Sequence, residues 1–227
     1  MLDWDEIDTV LLDMDGTLLD LHFDNFFWLE HLPRRYADMR GEDPVEVRHR
    51  LVERFRAEQG SLNWYCVDYW SRELGLDVGE IKEELRHLIA IRPHVEDFLQ
   101  RLHSSHRRVL LVTNAHHKSL SLKLEHTGLD RWFDAVICSH DFGLAKEHAG
   151  FWAALRSVEP FVPERTLLID DNHAVLDSAR RFGIRWLLSL LQPDSRRPAR
   201  TVEGFPAILH FDEIMPGLVG TRSGSSA

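Results

Sequence analysis

Apolar residues fall along this chain in short unbroken runs that stop abruptly at polar or glycine-containing turns. Ile7–Leu12, Arg108–Val112, Phe133–Cys138, Thr166–Ile169 and Arg185–Leu188 are such runs, and runs of this kind read as strands buried on both faces. Ala207–His210, beyond a long polar loop with Pro193 and Pro198, reads as a short edge strand. The stretches between them carry helical spacing instead. Val95, Phe98, Leu99 and Leu102 share one face after Pro93. A helix runs from His116 to Thr127 and stops at Gly128. Another passes through Trp152 and Leu155, and a further one through Val175, Leu176 and Ala179 ends at Gly183. Strand-helix alternation predicts an α/β fold with a parallel sheet and helices on both faces.

Residues 20–92 interrupt that alternation, because nothing in them reads as a strand. Asp24 and Asn25 are placed to cap a helix through Phe26, Phe27, Leu29 and Glu30. Pro44 opens an amphipathic helix with Val47, Leu51 and Phe55 inward, closed by Gly60. A third helix, Asn63 to Leu74, is rich in aromatics and stops at Gly75. Asp77 starts a fourth, with Val78, Ile81, Leu85 and Leu88 spaced by three and four. The expected organisation is a core from residues 1–19 and 93–218, an all-helical insert over 20–92, and a small polar, disordered tail over 219–227.

Composition narrows the classes. A 44% apolar fraction over 227 residues supports an ordinary globular core. No apolar run approaches the roughly 18 residues a membrane span needs, and the acidic start MLDWDEIDTV does not read as a signal peptide. A net charge of −10 disfavours nucleic acid as a partner. Cys66 and Cys138 stand in no ligand spacing and read as small buried hydrophobes in a reducing cytoplasm. The histidines, among them His103, His106, His116 and His117, form no zinc pattern and read as exposed polar residues.

In a parallel sheet every strand presents its C-terminal end to one edge, where ligands bind. The polar groups expected at that edge are Asp13 and Asp15 after the first strand, Thr113 and Asn114 after the second, Lys146 after the third, and Asp170 and Asp171 after the fourth.

Asp13-Met14-Asp15-Gly16-Thr17 resembles the first motif of the haloacid dehalogenase-like phosphohydrolases, and the later strand ends resemble that family's remaining motifs. The resemblance implies a Rossmann-like core with an inserted helical cap, and hydrolysis of a small-molecule phosphomonoester. It implies Asp13 as nucleophile toward phosphorus and Asp15 as general acid/base, with Thr113 and the Asn114 N–H binding phosphoryl oxygens. Lys146 would offset the charge of Asp13 and phosphate together. The cofactor expected is Mg²⁺, a hard ion suited to Asp13, Asp171 and the Asp15 carbonyl; Asp170 is either a further ligand or an acceptor for metal-bound water. Leu62–Ser71, Lys123–Asp130 and Thr166–Asp171 look like the GMP/IMP 5′-nucleotidases of the superfamily, which implies a purine nucleotide substrate. Met14, Asn114, Trp64, Tyr65 and Tyr69 are then the candidate substrate contacts. A phosphosugar or phosphoglycolate phosphatase is the alternative enzyme, and a catalytically silent nucleotide-binding module the alternative of another class. A dehalogenase is disfavoured, since those relatives lack an acid at the position of Asp15.

Overall fold

The computed structural model describes residues 2–217; the expected tail over 219–227 lies outside them. Six parallel strands form one sheet in the order β3-β2-β1-β4-β5-β6. They are β1 (Thr9–Leu12), β2 (Arg108–Thr113), β3 (Ala135–Cys138), β4 (Thr166–Ile169), β5 (Trp186–Leu190) and β6 (Ala207–Ile208). Leu11 pairs with Leu110 on one side and Leu168 on the other. Every residue of β1 and β4 is buried, as expected of strands covered on both faces.

The period-two alternation of these strands divides the core. Val10, Leu12, Val109, Leu111, Leu167 and Ile169 face α7 (Val95–His103) and run continuously into the helical insert. Leu11, Leu110, Val112 and Leu168 face α9 (Phe151–Val158) and α10 (His173–Phe182). After β3 the chain crosses to the other side of β1. The strand order therefore reverses between β1 and β4, and that crevice is where an open α/β sheet binds ligands.

The insert is entirely helical. It leaves and rejoins the core through paired segments: Asp20 N–H donates to the Ala90 carbonyl at 2.9 Å, and Arg92 N–H to the Leu18 carbonyl at 3.0 Å. Its elements are α1 (His22–Phe26), a π-helical stretch (Phe27–His31), α2 (Leu32–Arg40), α3 (Pro44–Ala57), α4 (Leu62–Tyr65), α5 (Val67–Leu74) and α6 (Val78–Glu83).

Three expectations here are corrected. The helix opening at Asp77 ends at Glu83, and Leu88 belongs to a separate 3-10 turn, Arg86–Leu88. Asp24 is not a cap: the first helix begins at His22, with Asp24 inside it. The helical run then continues to Arg40 despite Pro33. Pro33 lacks the N–H that would reach back to the Leu29 carbonyl; the Arg48 Nε–H donates to that carbonyl instead, at 2.7 Å. The expected helix from Asn63 to Leu74 is two helices, because Cys66 is extended (φ −85°, ψ 106°). Trp70 Nε1–H takes up the Trp64 carbonyl at the break, at 3.2 Å.

The third strand starts at Ala135 rather than Phe133. The remaining helix, α8 (His117–Thr127), follows β2. No helix among the described residues is long and apolar enough to cross a membrane.

Candidate active site

The chain after β1 turns at once. Leu18 and Leu19 N–H groups both donate to the Met14 carbonyl, and Gly16 N–H donates to the Leu19 carbonyl at 2.8 Å. Gly16 adopts φ +84°, and a Cβ there would lie 2.8 Å from Asp171 Oδ2, so both backbone conformation and space call for glycine. This turn presents Asp13 and Asp15 beside the carboxylates that follow β4.

Lys146 is the electrostatic centre. It is 1% exposed, and its ammonium donates to Asp13 Oδ1 at 2.5 Å, Asp170 Oδ2 at 2.7 Å and the Val112 carbonyl at 3.0 Å. Burial opposes its charge, but the two carboxylates outweigh burial and raise its proton affinity. Carboxylate oxygens of Asp13, Asp170 and Asp171 lie within 4.8 Å of one another. One ammonium cannot neutralise three carboxylates. Burial pushes Asp13 up to about 6 against the pull of Lys146. Asp171 is driven well above its ordinary value by burial and then by the charges of Asp13 and Asp170. Asp170 already accepts from Lys146 and, through Oδ1, from Asn172 N–H at 2.9 Å. Asp13 Oδ2 is buried with no hydrogen-bond partner.

Thr113 Oγ1 accepts from Ala115 N–H at 3.0 Å, which leaves its hydroxyl proton free. The Asn114 side chain accepts from Lys146 N–H and donates to Glu147. Glu147 also accepts from Tyr65 Oη–H at 2.7 Å and Asn172 Nδ2–H at 3.0 Å. One carboxylate thus ties the helical insert to the ends of β2 and β4.

Sequence reasoning did not single out Glu147, nor a second buried network beside Asp15. Lys123, on α8, donates to Asp15 Oδ1 and Asp24 Oδ2, both at 2.6 Å. Lys82, on α6, donates to Asp24 Oδ1 at 2.7 Å and Ser119 Oγ at 3.3 Å, lying over the rings of Phe23 and Phe27. Burial would raise Asp24, but the two lysines overcome it and hold the carboxyl at about 2. Asp15, with one lysine to share, is raised by burial to about 6. The available signal was Ser119 and Lys123, four apart on one helix face, pointing a cation inward.

Asp13, Asp15, Asp24, Lys82, Lys146, Asp170 and Asp171 floor a cavity of about 500 Å³, in the size range of small-molecule sites. Its walls are Trp28, Phe55, Trp64, Tyr65 and Trp70 from the insert, and Arg200 also lines it. The structure thus brings Asp13, Asp15, Thr113, Asn114, Lys146, Asp170, Asp171, Trp64 and Tyr65 to one cavity. Two of the expected residues stand apart. Tyr69 does not line it: α5 points Val67 and Trp70 inward, and Tyr69 Oη–H turns to Glu58 at 3.0 Å. The Met14 side chain is 1% exposed and packs in the core, leaving only its backbone near the site. His103, His106 and His117 are exposed as expected, whereas His116 is 9% exposed and packs against His140.

Residues 7–183 match the family of haloacid dehalogenase-like hydrolases. The chain belongs to that family. It is 41% identical over 216 residues to the GMP/IMP nucleotidase YrfG of Escherichia coli (strain K12), covering 95% of this chain and 97% of that protein. It is 20% identical over 227 residues to a phosphorylated carbohydrates phosphatase of Thermotoga maritima, covering 92% and 97% of the two chains. In fold it is similar to the crystal structure of a HAD phosphatase from Thermococcus onnurineus. The TM-score is 0.74 at 20% identity, over 88% of this chain and 92% of that one.

Proposed function

We propose that this hydrolase removes phosphate from purine nucleoside 5′-monophosphates, with Mg²⁺, through an aspartyl-phosphate on Asp13. The observation that carries the reading is a single cavity with carboxylates and a lysine at one end and aromatic walls at the other. It occurs in a chain alike over nearly its whole length to a GMP/IMP nucleotidase.

The residues fit the metal. The unpartnered Asp13 Oδ2, the crowded Asp171 and the uncompensated negative charge of the trio suit a hard divalent ion. Asp13, Asp171 and the Asp15 carbonyl would hold it, while Asp170 remains with Lys146. When bound, the ion neutralises negative charge on the phosphoryl oxygens.

Asp13 attacks phosphorus, and the bond to the ribose 5′ oxygen breaks. Asp15, whose burial keeps a proton to higher pH than an ordinary carboxyl, gives that proton to the departing oxygen. It then takes one from the water that attacks the phosphorus of the acyl phosphate, which frees Asp13. Thr113 donates its hydroxyl proton to a phosphoryl oxygen, with the Asn114 N–H beside it. The helical insert acts as a cap: it closes the cavity and keeps bulk water from the intermediate. The aromatic wall stacks the base, an interaction worth about 1–3 kcal/mol.

Chelation with EDTA is expected to abolish phosphate release and added Mg²⁺ to restore it; activity indifferent to chelator removes the metal from the account. Trp64→Ala is expected to raise KM for IMP about tenfold while barely affecting p-nitrophenyl phosphate, and equal effects on both assign Trp64 a packing role. The substrate reading is tested by kcat/KM across IMP, GMP, pyrimidine nucleotides, sugar phosphates and phosphoglycolate. Purine nucleotides should lead. A phosphosugar in first place supports the carbohydrate alternative, and no release from any of them supports a binding module.

A further inference from the structure

Away from the cavity floor, three metal-ligating side chains converge where the cap meets the core. Cys66 sits at the break between α4 and α5, His116 immediately precedes α8, and His140 lies in the turn after β3. One ligating atom of each lies within 4.8 Å of the others. The two imidazoles stand edge-on, with ring centroids 5.0 Å apart and planes at 88°. Nε2 of His140 is buried with no hydrogen-bond partner, an arrangement that costs about 1–3 kcal/mol unless something occupies the nitrogen.

We propose that Cys66, His116 and His140 form a site for a thiophilic divalent transition ion of the zinc class, which ties the cap to the core. One sulfur and two nitrogens match zinc chemistry, with a fourth position left for water. Mg²⁺ prefers oxygen donors, so the two ions sort to different sites. Burial, with the adjoining histidine, lowers His140 to about 4, and burial also lowers His116, so both rings are neutral and able to ligate at neutral pH. Cys66 Sγ accepts the Tyr69 N–H at 3.3 Å at the start of α5. His116 Nδ1 accepts the Lys118 N–H at 3.4 Å, which fixes the ring and leaves Nε2 as the nitrogen available to an ion.

A neighbouring trio, His117, Cys138 and Asp141, is also compact but poorly suited. The Cys138 thiol donates to the Ala115 carbonyl at 3.2 Å, and burial pushes it up to about 11. His117 is already paired with Asp141 at 2.9 Å on the surface.

The consequence for turnover rests on the function proposed above. Cys66 directly follows Tyr65, which lines the cavity, and His116 is two residues beyond Asn114. An ion at this site fixes the cap closed and slows exchange of substrate and product without touching the reacting groups.

The test starts from metal-free full chain titrated with Co²⁺, whose bonding to thiolate gives a charge-transfer absorption. The expected result is one such site per chain, displaced by Zn²⁺. C66S should abolish the band, H140Q should weaken Zn²⁺ binding at least tenfold, and both variants should keep Mg²⁺-supported activity. Absence of the band in the wild type, or its persistence in C66S, overturns the proposal, as does unchanged zinc affinity in H140Q. One equivalent of Zn²⁺ should lower kcat severalfold in wild type and not in C66S. Zinc bound at Cys66 with turnover unchanged overturns the locking role alone. A chain with no phosphatase activity but a Cys66-dependent band overturns the proposed function and not the site.

Discussion

Asp13→Asn is expected to lower kcat by about 10⁴-fold or more, with the fold retained. Asparagine keeps the shape of aspartate but cannot form the acyl phosphate, and removing the attacking group of a covalent mechanism has effects of this order. The same change subtracts one of three crowded carboxylates, while Lys146 keeps Asp170 at 2.7 Å. Thermal unfolding should therefore shift little, or upward. Phosphate release and a melting curve on the same preparation check both halves. Turnover near the wild-type rate would remove Asp13 from the nucleophile role, whatever the melting curve.

Lys146→Met is expected to damage both stability and activity. The ammonium is buried, and it is the partner of both Asp13 and Asp170. Removing one member of a buried ion pair leaves its partners unpaired and costs about 3–5 kcal/mol. Urea unfolding in EDTA should show a loss of that size, and a loss under about 1 kcal/mol would mean the carboxylates reorganise without the lysine. Under assay conditions kcat should fall by about 10²–10³-fold, as when a charge-stabilising group is withdrawn from a reaction centre. The stability of Lys146→Met separates it from Asp13→Asn, which withdraws a crowded negative charge instead of the cation that holds the others.

The sheet was legible in the sequence because β1 and β4 are buried on both faces and read as unbroken apolar runs. Their polar ends were legible because parallel strands place such ends on one edge. Less legible were residues whose meaning depends on partners distant in the chain. Asp24, at the start of an apolar stretch, has the local signature of a helix cap. Only the fold brings Lys82 and Lys123 onto it from two other helices. Glu147 looks like one more loop acid until Tyr65, Asn114 and Asn172 converge on it. Tyr69 was misassigned because an aromatic cluster does not itself say which rings face inward. A break at Cys66 resets the helical phase and turns Tyr69 to Glu58. The pairing of His116 with His140 was hidden for the same reason: the two are unremarkable in spacing and meet only across two strand ends.

The central claim is that phosphate passes through Asp13. Rapid acid quenching during turnover of [³²P]IMP, followed by peptide mapping, tests it most directly. Acid-stable label is expected on the peptide containing Asp13, absent from Asp13→Asn and chased by unlabelled IMP. Label on another residue, or turnover with no labelled protein at any quench time, would contradict it.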